Sequence, residues 1–274
     1  MNLLKFYMQL CIILCTIPVQ SKISMQNMQE SVSKIFSLNK QENIFHQEFK
    51  DVKQVELLCE IGNITIHTWK QSSTMVELKK IGSQAQMSQT IVDFVNYDDL
   101  LQIKTEFLDK KILATIHITI IIPEQTSIKI SIKNGNIFIK NLSGSIDAQT
   151  DLGNIDIIDG SSDVTIFSKR GNINIQRENM INTQKISAIT DNGNILLQIP
   201  QHMNTNIIAE AKNGKIYSDL LITLQQKTTK LTDEVYKQQR HQLSGSISKD
   251  STSVVCGSIN LETKHGLIKI KGYV

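Results

Sequence analysis

Apolar and polar residues alternate with a spacing of two along most of the chain after Phe49. The apolar member is mostly isoleucine, whose branched Cβ loses little freedom when it is fixed in a pleated strand. The clearest segments are Val55–Leu57, Ile64–Ile66, Ile116–Ile122, Ile128–Ile132, Ile137–Ile139, Ile155–Ile157 and Ile173–Ile175. Such alternation is typical of strands that bury one side and expose the other. The pattern predicts an all-β protein.

Glycine punctuates these segments at a regular interval. Between Gly135 and Gly171 a Gly-polar-Ile triplet returns every nine residues, with Ser162-Asp163-Val164 in the one place where glycine is missing. Two such steps make an 18-residue unit, in which Asn136, Asn154 and Asn172 share one phase. A chain that turns two kinds of corner in each unit would show this pattern.

The glycines and their asparagines are therefore the predicted repeat corners. Glycine adopts left-handed or strained backbone conformations at lower cost than residues with a Cβ. An asparagine beside it can stack on the asparagine of the next repeat, with hydrogen bonds from amide to amide. The predicted corner residues are Gly62, Asn63, Gly135, Asn136, Gly144, Gly153, Asn154, Gly171, Asn172, Gly193, Asn194, Gly214, Gly245, Gly257 and Gly266.

Two architectures fit these repeats. In a single-stranded β-helix, or solenoid, with coils of roughly 18 residues, stacked coils build one core from rows of isoleucine. In the alternative, an antiparallel β-sandwich, the Asn-Gly pairs at 134–135, 192–193 and 213–214 would form hairpin turns. The regular nine-residue steps favour the solenoid.

The steps lengthen towards the C-terminus. Gly171 to Gly193 spans 22 residues and Gly193 to Gly214 spans 21, which reads as a few residues added to each coil. The polar stretch 225–242 is predicted to be a protruding loop, after which the repeat resumes at Gly245.

The N-terminus has the pattern of an export signal. Lys5 precedes an apolar run from Phe6 to Val19, and short residues follow it up to Ser21. We interpret residues 1–21 as a signal peptide, because about 14 apolar residues are fewer than the roughly 20 that span a bilayer. The alternative is a retained membrane anchor. The remaining regions are a polar tether or N-terminal cap at 22–47 and a β-solenoid domain at 48–274, without a later transmembrane segment.

The net charge limits the classes of binding partner, and the cysteine content bears on the redox compartment. A formal net charge of +3, spread without long runs of one sign, implies no nucleic-acid partner. Without the leader the chain keeps Cys59 and Cys256, which either pair in an oxidising compartment or remain buried thiols on separate strands. Export predicts a periplasmic, cell-surface or extracellular location.

No motif predicts catalytic residues, a metal site or a cofactor. The six histidines lack metal-ligand spacing, and one glycine per repeat differs from the three in calcium-binding β-rolls. The strongest cluster for a polysaccharide-active enzyme is Asp147, Asp151, Asp156, Asp159 and Lys169. Alternating polar positions more often form the solvated side of a strand.

In order along residues 49–274, the motifs VELLCEIGNITI, IIIPEQTSIKISIKNGNIFI, LSGSIDAQTDLGNIDI, NGKIYSDLLI and GSINLETKHGLIKIKG resemble the bacterial putative adhesin domain family. This resemblance implies a single-stranded β-helix, often exported or surface-associated, without an assigned enzymatic activity. The stretch 225–242 departs from the family and inherits no role.

Three functions follow as hypotheses. The first is an exported, non-enzymatic structural or interaction module that binds a protein or an envelope or surface polymer through exposed sheet faces. The second is a carbohydrate-active enzyme on the same scaffold. The third is an envelope-stress scaffold domain that contacts partners through a sheet edge.

Overall fold

The structure, a computed structural model, describes residues 41–109, 113–160, 163–178, 184–201, 203–224, 242–247 and 257–273. The predicted signal peptide, Cys256 and nearly all of the predicted loop at 225–242 lie outside these residues. The strands are β1 Gln41–Phe49, β2 Gln54–Trp69, β3 Thr74–Gly82, β4 Thr90–Tyr97, β5 Leu100–Phe107, β6 Thr115–Pro123, β7 Ser127–Asn134, β8 Ile137–Lys140, β9 Ile146–Leu152, β10 Ile155–Ile158, β11 Val164–Arg170, β12 Ile173–Gln176, β13 Lys185–Asn192, β14 Ile195–Pro200, β15 Thr205–Ser218, β16 Thr223–Leu224, β17 Gln242–Ile247 and β18 Gly257–Tyr273. A short helix, α1, spans Gln84–Ser88. The prediction of an all-β protein is confirmed.

One large mixed sheet contains all eighteen strands, and two ladders of parallel strands run through it. Ladder 1 consists of β5, residues 54–61 of β2, β7, β9, β11, β13, residues 257–265 of β18 and residues 205–213 of β15. Ladder 2 consists of β6, residues 62–69 of β2, β8, β10, β12, β14, residues 266–273 of β18 and residues 214–218 of β15. The long strands β2, β15 and β18 therefore join the two ladders.

The repeat appears directly in the register of the strands. Ile137 pairs with Ile155, and Ile155 pairs with Ile173, in parallel. Hydrogen bonds between equivalent residues of these strands span 18 positions of sequence. Antiparallel hairpins at the Asn-Gly pairs, which the sandwich alternative required, are wrong for this region, because the flanking strands pair with neighbouring repeats in parallel.

The order of the strands in space departs from their order in the chain near both ends. The C-terminal strand β18 lies between β15 and the strands β13 and β14. Gly193 therefore contacts Gly266, and Gly214 is the next glycine beyond Gly266. The step of 21 residues from Gly193 to Gly214, which the sequence suggests is one repeat with a few added residues, is therefore interrupted in space by β18.

The apolar sides of both ladders form a single core cluster. Its isoleucines come from the alternating segments seen in the sequence; Ile130 and Ile166 of ladder 1 and Ile139 and Ile157 of ladder 2 are buried almost completely. Cys59 lies in the same core as a free cysteine, and burial raises the pKa of its thiol. Each ladder thus buries one side and exposes the other, as the spacing of two predicts.

Antiparallel strands complete the end of the sheet near β2. The strand β3 pairs with β6, and β1 pairs with β3, while β4 pairs with β5. The Phe94 ring on β4 lies 5.7 Å from the Phe45 ring and 5.9 Å from the Phe49 ring, both on β1. A domain boundary between residues 47 and 48 would fall inside β1.

Candidate functional site

A line of seven glycines marks the junction between the two ladders. In spatial order they are Gly62, Gly135, Gly153, Gly171, Gly193, Gly266 and Gly214. A Cβ on any glycine after the first would lie only 1.4–1.9 Å from the carbonyl oxygen of the preceding glycine. Gly135 also has a φ of 153°, which L-residues with a side chain rarely adopt. Close approach of neighbouring backbones therefore requires glycine along this line.

A row of asparagines runs beside the glycines. The side-chain Oδ1 of Asn63, Asn136, Asn154 and Asn172 accepts a hydrogen bond from the backbone N–H of the next asparagine, at 2.8–3.0 Å, and the row reaches Asn194. Asn194 Oδ1 accepts from the N–H of Leu267, where the row ends. The predicted bond from amide to amide is thus replaced by a bond from side chain to backbone.

Buried hydroxyls form a second row that sequence reasoning missed. Ser168 Oγ donates to the carbonyl oxygen of Gly153 at 3.1 Å, and Thr190 Oγ1 donates to that of Gly171 at 3.0 Å. Thr150 and Thr263 make the same bond to the glycine of the neighbouring strand. Each hydroxyl lies three residues before a corner glycine, so the sequence signal was Thr or Ser followed by two residues and Gly.

The other three predicted corners lie elsewhere. Gly144 precedes β9, and a Cβ there would lie 2.0 Å from the carbonyl oxygen of Thr126. Gly257 is the first residue of β18 and pairs with Thr205. Gly245 lies inside β17, where it pairs with Ile207 and Leu224 in antiparallel strands. Gly245 is thus a strand residue.

The candidate catalytic carboxylates do not converge. Asp147 and Asp151 point outward from ladder 1, where Asp147 lies in register with Lys129. Asp156 lies on ladder 2 and pairs with Phe138 and Asn174. Asp159 follows β10 at a bend, where its Oδ1 accepts from the N–H of Glu178 at 3.2 Å. Lys169 lies beside Asp151 on the neighbouring strand β11. An acid and a base acting on one glycosidic bond must face the same bond, but Asp147 and Asp151 stand four residues, about 13 Å, apart on β9, and Asp156 lies on the other ladder.

The outward side of ladder 2 carries few charges, with Lys140 and Asp156 the charged side chains on residues 62–69 of β2 and on β8, β10, β12 and β14. It presents threonine, amide, aromatic and aliphatic side chains, most of them half-buried. On β2, β8, β10, β12 and β14 the outward residues are Thr65, His67, Trp69, Phe138, Lys140, Asp156, Ile158, Asn174, Gln176, Leu196 and Gln198. We call this surface the amide face. Its aromatic residues come from strands that are far apart in the chain, so proximity in sequence does not reveal this surface.

Aromatic contacts organise one end of the amide face. The rings of His67 and Phe138 meet edge to face with centroids 6.0 Å apart. Trp69 Nε1 donates to the carbonyl oxygen of Ser73 at 2.7 Å, which fixes the indole. Burial, together with the nearby Lys79, lowers the pKa of His117 on the adjacent β6. His117 is therefore neutral at pH 7.

Arg177 is buried completely at the opposite corner, just after β12. Its Nη1 donates to the carbonyl oxygen of Asp159 at 2.9 Å, while Nε and Nη2 have no hydrogen-bond partner among the described residues. Burial lowers the pKa of Arg177 to about 10, and Asp159 opposes the shift. Below pH 10 the guanidinium is charged in both the folded and the unfolded state, so the full cost of burying it is present at pH 7.

Replacing Arg177 with methionine is expected to raise the free energy of unfolding by about 1–3 kcal/mol, because a buried charge without full pairing destabilises the fold. Urea denaturation at pH 7 measures the effect. The gain should shrink as the pH rises above about 10, since the folded wild-type protein then releases its proton before the unfolded chain does. The exposed Arg170→Met is the control, with a change within about 0.5 kcal/mol. A loss of stability in Arg177→Met would contradict the prediction.

An open depression of about 790 Å³ lies beside the turns that precede β2, β5 and β7. Asp51, Asp98 and Asp99 line it, and Lys53 Nζ lies 3.5 Å from Asp99 Oδ2. Within the described ranges, no three side chains of His, Cys, Asp or Glu are grouped closely enough to hold a metal ion. Nor does any described helix have the length and apolar character to cross a membrane.

Comparison with solved structures supports the fold. A putative cell adhesion protein from Clostridium sporogenes has a TM-score of 0.51 and 14% identity, over 85% of this chain and all of that chain. A putative adhesin from Bacteroides fragilis has a TM-score of 0.39 and 15% identity, over 84% of this chain and 97% of that chain. No family model and no curated protein matches the sequence. The first likeness confirms the adhesin-like resemblance at the level of the fold.

Proposed function

We propose that this chain is an exported, non-enzymatic interaction module, wound as a single-stranded β-helix with coils of about 18 residues, that binds a protein or a surface polymer through the amide face. The parallel register of 18 residues and the line of stacked glycines support the coil. The export signal and the fold shared with a putative cell adhesion protein support a location outside the cytoplasm.

The single observation that carries the proposal is the difference between the two outward surfaces. Ladder 1 exposes charged residues on every neighbouring strand, whereas the amide face exposes mainly amides, aromatic rings and aliphatic side chains, with Lys140 and Asp156 as its charged members. Charged side chains are depleted at the centre of binding surfaces, where aromatic residues are enriched. The amide face is therefore the better binding surface for an external partner.

Adsorption of the purified protein to cells and envelope fractions of the source organism tests this function. The variant Phe138→Lys should reduce adsorption at least about fivefold, because it places a charge beside His67 at the centre of the aromatic contacts. The matched control is Tyr97→Lys, an exposed aromatic residue on β4 that lies outside the amide face. Equal adsorption of wild type and Phe138→Lys, or no adsorption of wild type, would refute the proposal.

The enzyme alternative has its own readout. Turnover of a glycan library that is first seen with the wild type, and is then lost in the alanine variants of Asp147, Asp151, Asp156 and Asp159, would favour it. The separation of these carboxylates along β9 and across the two ladders predicts no such loss. The scaffold alternative predicts binding of an envelope signalling protein that does not depend on the amide face. Recovery of such a protein with Phe138→Lys as well as with the Tyr97→Lys control would favour it.

A further inference from the structure

Ladder 1 carries a single column of charges on its outward side. The column follows the order of the strands β5, β2, β7, β9, β11, β13, β18 and β15. Its members are Glu106, Glu60, Lys133, Asp151, Lys169, Asp191, Lys264 and Lys212. We call this set the charge column. Glu106 is placed beside Glu60 by continuing the register between β2 and β5. At this point the backbone N–H of Glu60 donates a hydrogen bond to Thr105 Oγ1 at 3.1 Å.

Pairing within the chain explains only part of the charge column. Lys133 Nζ lies 2.6 Å from Glu60 Oε1, and Lys264 Nζ lies 2.8 Å from Asp191 Oδ1. The central residues Asp151 and Lys169 are exposed, and neither forms an ion pair with a described residue. These two side chains are therefore available to charges outside the chain.

At both ends of the charge column, neighbouring members have the same sign and cannot pair with each other. Two acidic residues, Glu106 and Glu60, are neighbours at one end, and two basic residues, Lys264 and Lys212, are neighbours at the other. Like charges on neighbouring strands disfavour a sheet. Residues outside the column pair with its two end members: Lys104 Nζ lies 2.5 Å from Glu106 Oε1, and Lys212 Nζ lies 3.2 Å from Glu262 Oε1. Among the described residues, only Asp151 and Lys169 of the column therefore lack an ion-pair partner within the chain. A purely internal ladder would instead alternate in sign to its ends.

The series of charge signs along the column is, however, complementary to the same series read backwards. Read from β5 to β15 the signs are two negative, then positive, negative, positive, negative, then two positive; reversing the order and inverting each sign gives the same series. A two-fold axis parallel to the strands, between β9 and β11, would reverse the order of the strands in a second copy. We propose that the partner of this surface is a second copy of the chain, docked face to face about that axis.

Every member of the charge column then meets an opposite charge. Asp151 faces Lys169 of the second copy, and Lys133 faces Asp191. Further out, Glu60 faces Lys264 and Glu106 faces Lys212. Since the axis generates each contact twice, the eight positions form eight intermolecular pairs. Complementary charges of this kind fix the register of an interface and speed its association.

The neighbouring positions are compatible with the same docking. Gln149 on β9 and Phe167 on β11 are paired in the register of the sheet. In the dimer, Gln149 of each copy would face Phe167 of the other copy. Asp147 would face Thr165 in the same way. Lys104, beside the acidic end, would face Glu210, beside the basic end. No like charges oppose one another in these positions, and Phe167, which is 36% exposed, would become covered.

The area is sufficient for a stable dimer. Eight strands at about 4.8 Å spacing extend about 34 Å, and seven residues of each strand extend about 23 Å. Their product is roughly 800 Å² per copy, which is the usual contribution of one partner to a specific interface. The amide face lies on the other ladder and remains free in this dimer, so the inference goes beyond the proposed function and concerns a different surface.

A pair of complementary variants tests the dimer. The acidic variant carries Lys133→Glu, Lys169→Glu and Lys264→Glu, and the basic variant carries Glu60→Lys, Asp151→Lys and Asp191→Lys. Sedimentation equilibrium should show a wild-type dimer whose Kd rises at least about tenfold between about 50 mM and about 500 mM NaCl, because salt screens exposed charges. Each variant alone should be monomeric, and an equimolar mixture of the two should form a heterodimer.

The matched control is Lys50→Glu, Lys53→Glu and Lys70→Glu, which changes the net charge as the acidic variant does but lies in turns away from the charge column. Its dimer Kd should stay within about threefold of wild type. If circular dichroism shows that a triple variant is unfolded, the single variants Lys169→Glu and Asp151→Lys replace it, since neither residue forms an ion pair within the described chain. A monomeric wild type at low salt, or a folded mixture that stays monomeric, would overturn the inference.

Discussion

Gly135→Ala is expected to lower the free energy of unfolding by about 3–5 kcal/mol. The new Cβ would lie 1.4 Å from the carbonyl oxygen of Gly62 and 2.9 Å from Ile132 Cδ1. The first of these atoms is backbone, so relief requires β7 and β8 to move away from β2. The φ of 153° adds strain that alanine does not tolerate.

Thermal and urea denaturation of wild type and Gly135→Ala measure this loss. Gly82→Ala is the matched control, because a Cβ there would mainly meet the flexible side chain of Gln86 and the φ is not in the left-handed region. We expect Gly82→Ala to cost about 1 kcal/mol or less. If both variants lost equal stability, the close contact along the line of glycines would not be the cause.

Ile157→Ala is expected to cost about 2–5 kcal/mol. Ile157 is 0% exposed and stands in ladder 2 between Ile139 and Ile175. Its neighbours on both sides belong to hydrogen-bonded strands, so they cannot close around the cavity without breaking the register. Ile157→Val, which removes one methylene, should cost about 0.5–1.5 kcal/mol.

Urea denaturation of these variants measures the cost. Ile208→Ala is the control, since Ile208 is the same residue type on an outward position of β15 and is 50% exposed. Its substitution should change the free energy of unfolding by less than about 1 kcal/mol. A similar loss at Ile157 and Ile208 would show that strand propensity, rather than core packing, determines the effect.

The local elements of the fold could be predicted from the sequence. A spacing of two reports directly which side of a strand is buried, and the glycine interval reports the register because equivalent residues pair 18 positions apart. The choice of neighbour near the ends could not be predicted. An Ile-x-Ile strand is compatible with any similar strand, so nothing local indicates that the Gly193 segment contacts Gly266 instead of Gly214.

The surfaces were harder to predict than the core. Members of the charge column that are adjacent in space, such as Glu60 and Lys133, are separated by 73 residues. Asp151 and Asp156 are close in sequence but lie on different ladders. Proximity in sequence therefore grouped carboxylates that the structure places on different ladders. Inward hydroxyl residues such as Ser168 interrupt the alternation of apolar residues in the sequence, and only the structure shows that they bond to glycine carbonyl oxygens.

The position of β18 has a consequence for the order of folding. Strands up to β14 can stack as they leave the ribosome, because each pairs with strands already made. For β15 the situation is different, because its parallel neighbour is the last strand of the chain. Until residue 273 emerges, β15 has only its antiparallel pairing with β17, and contacts of such long sequence separation as those with β18 form slowly. Synthesis to the last residues is therefore required before this end of the stack closes, and a C-terminal truncation would leave β15 as an aggregation-prone strand.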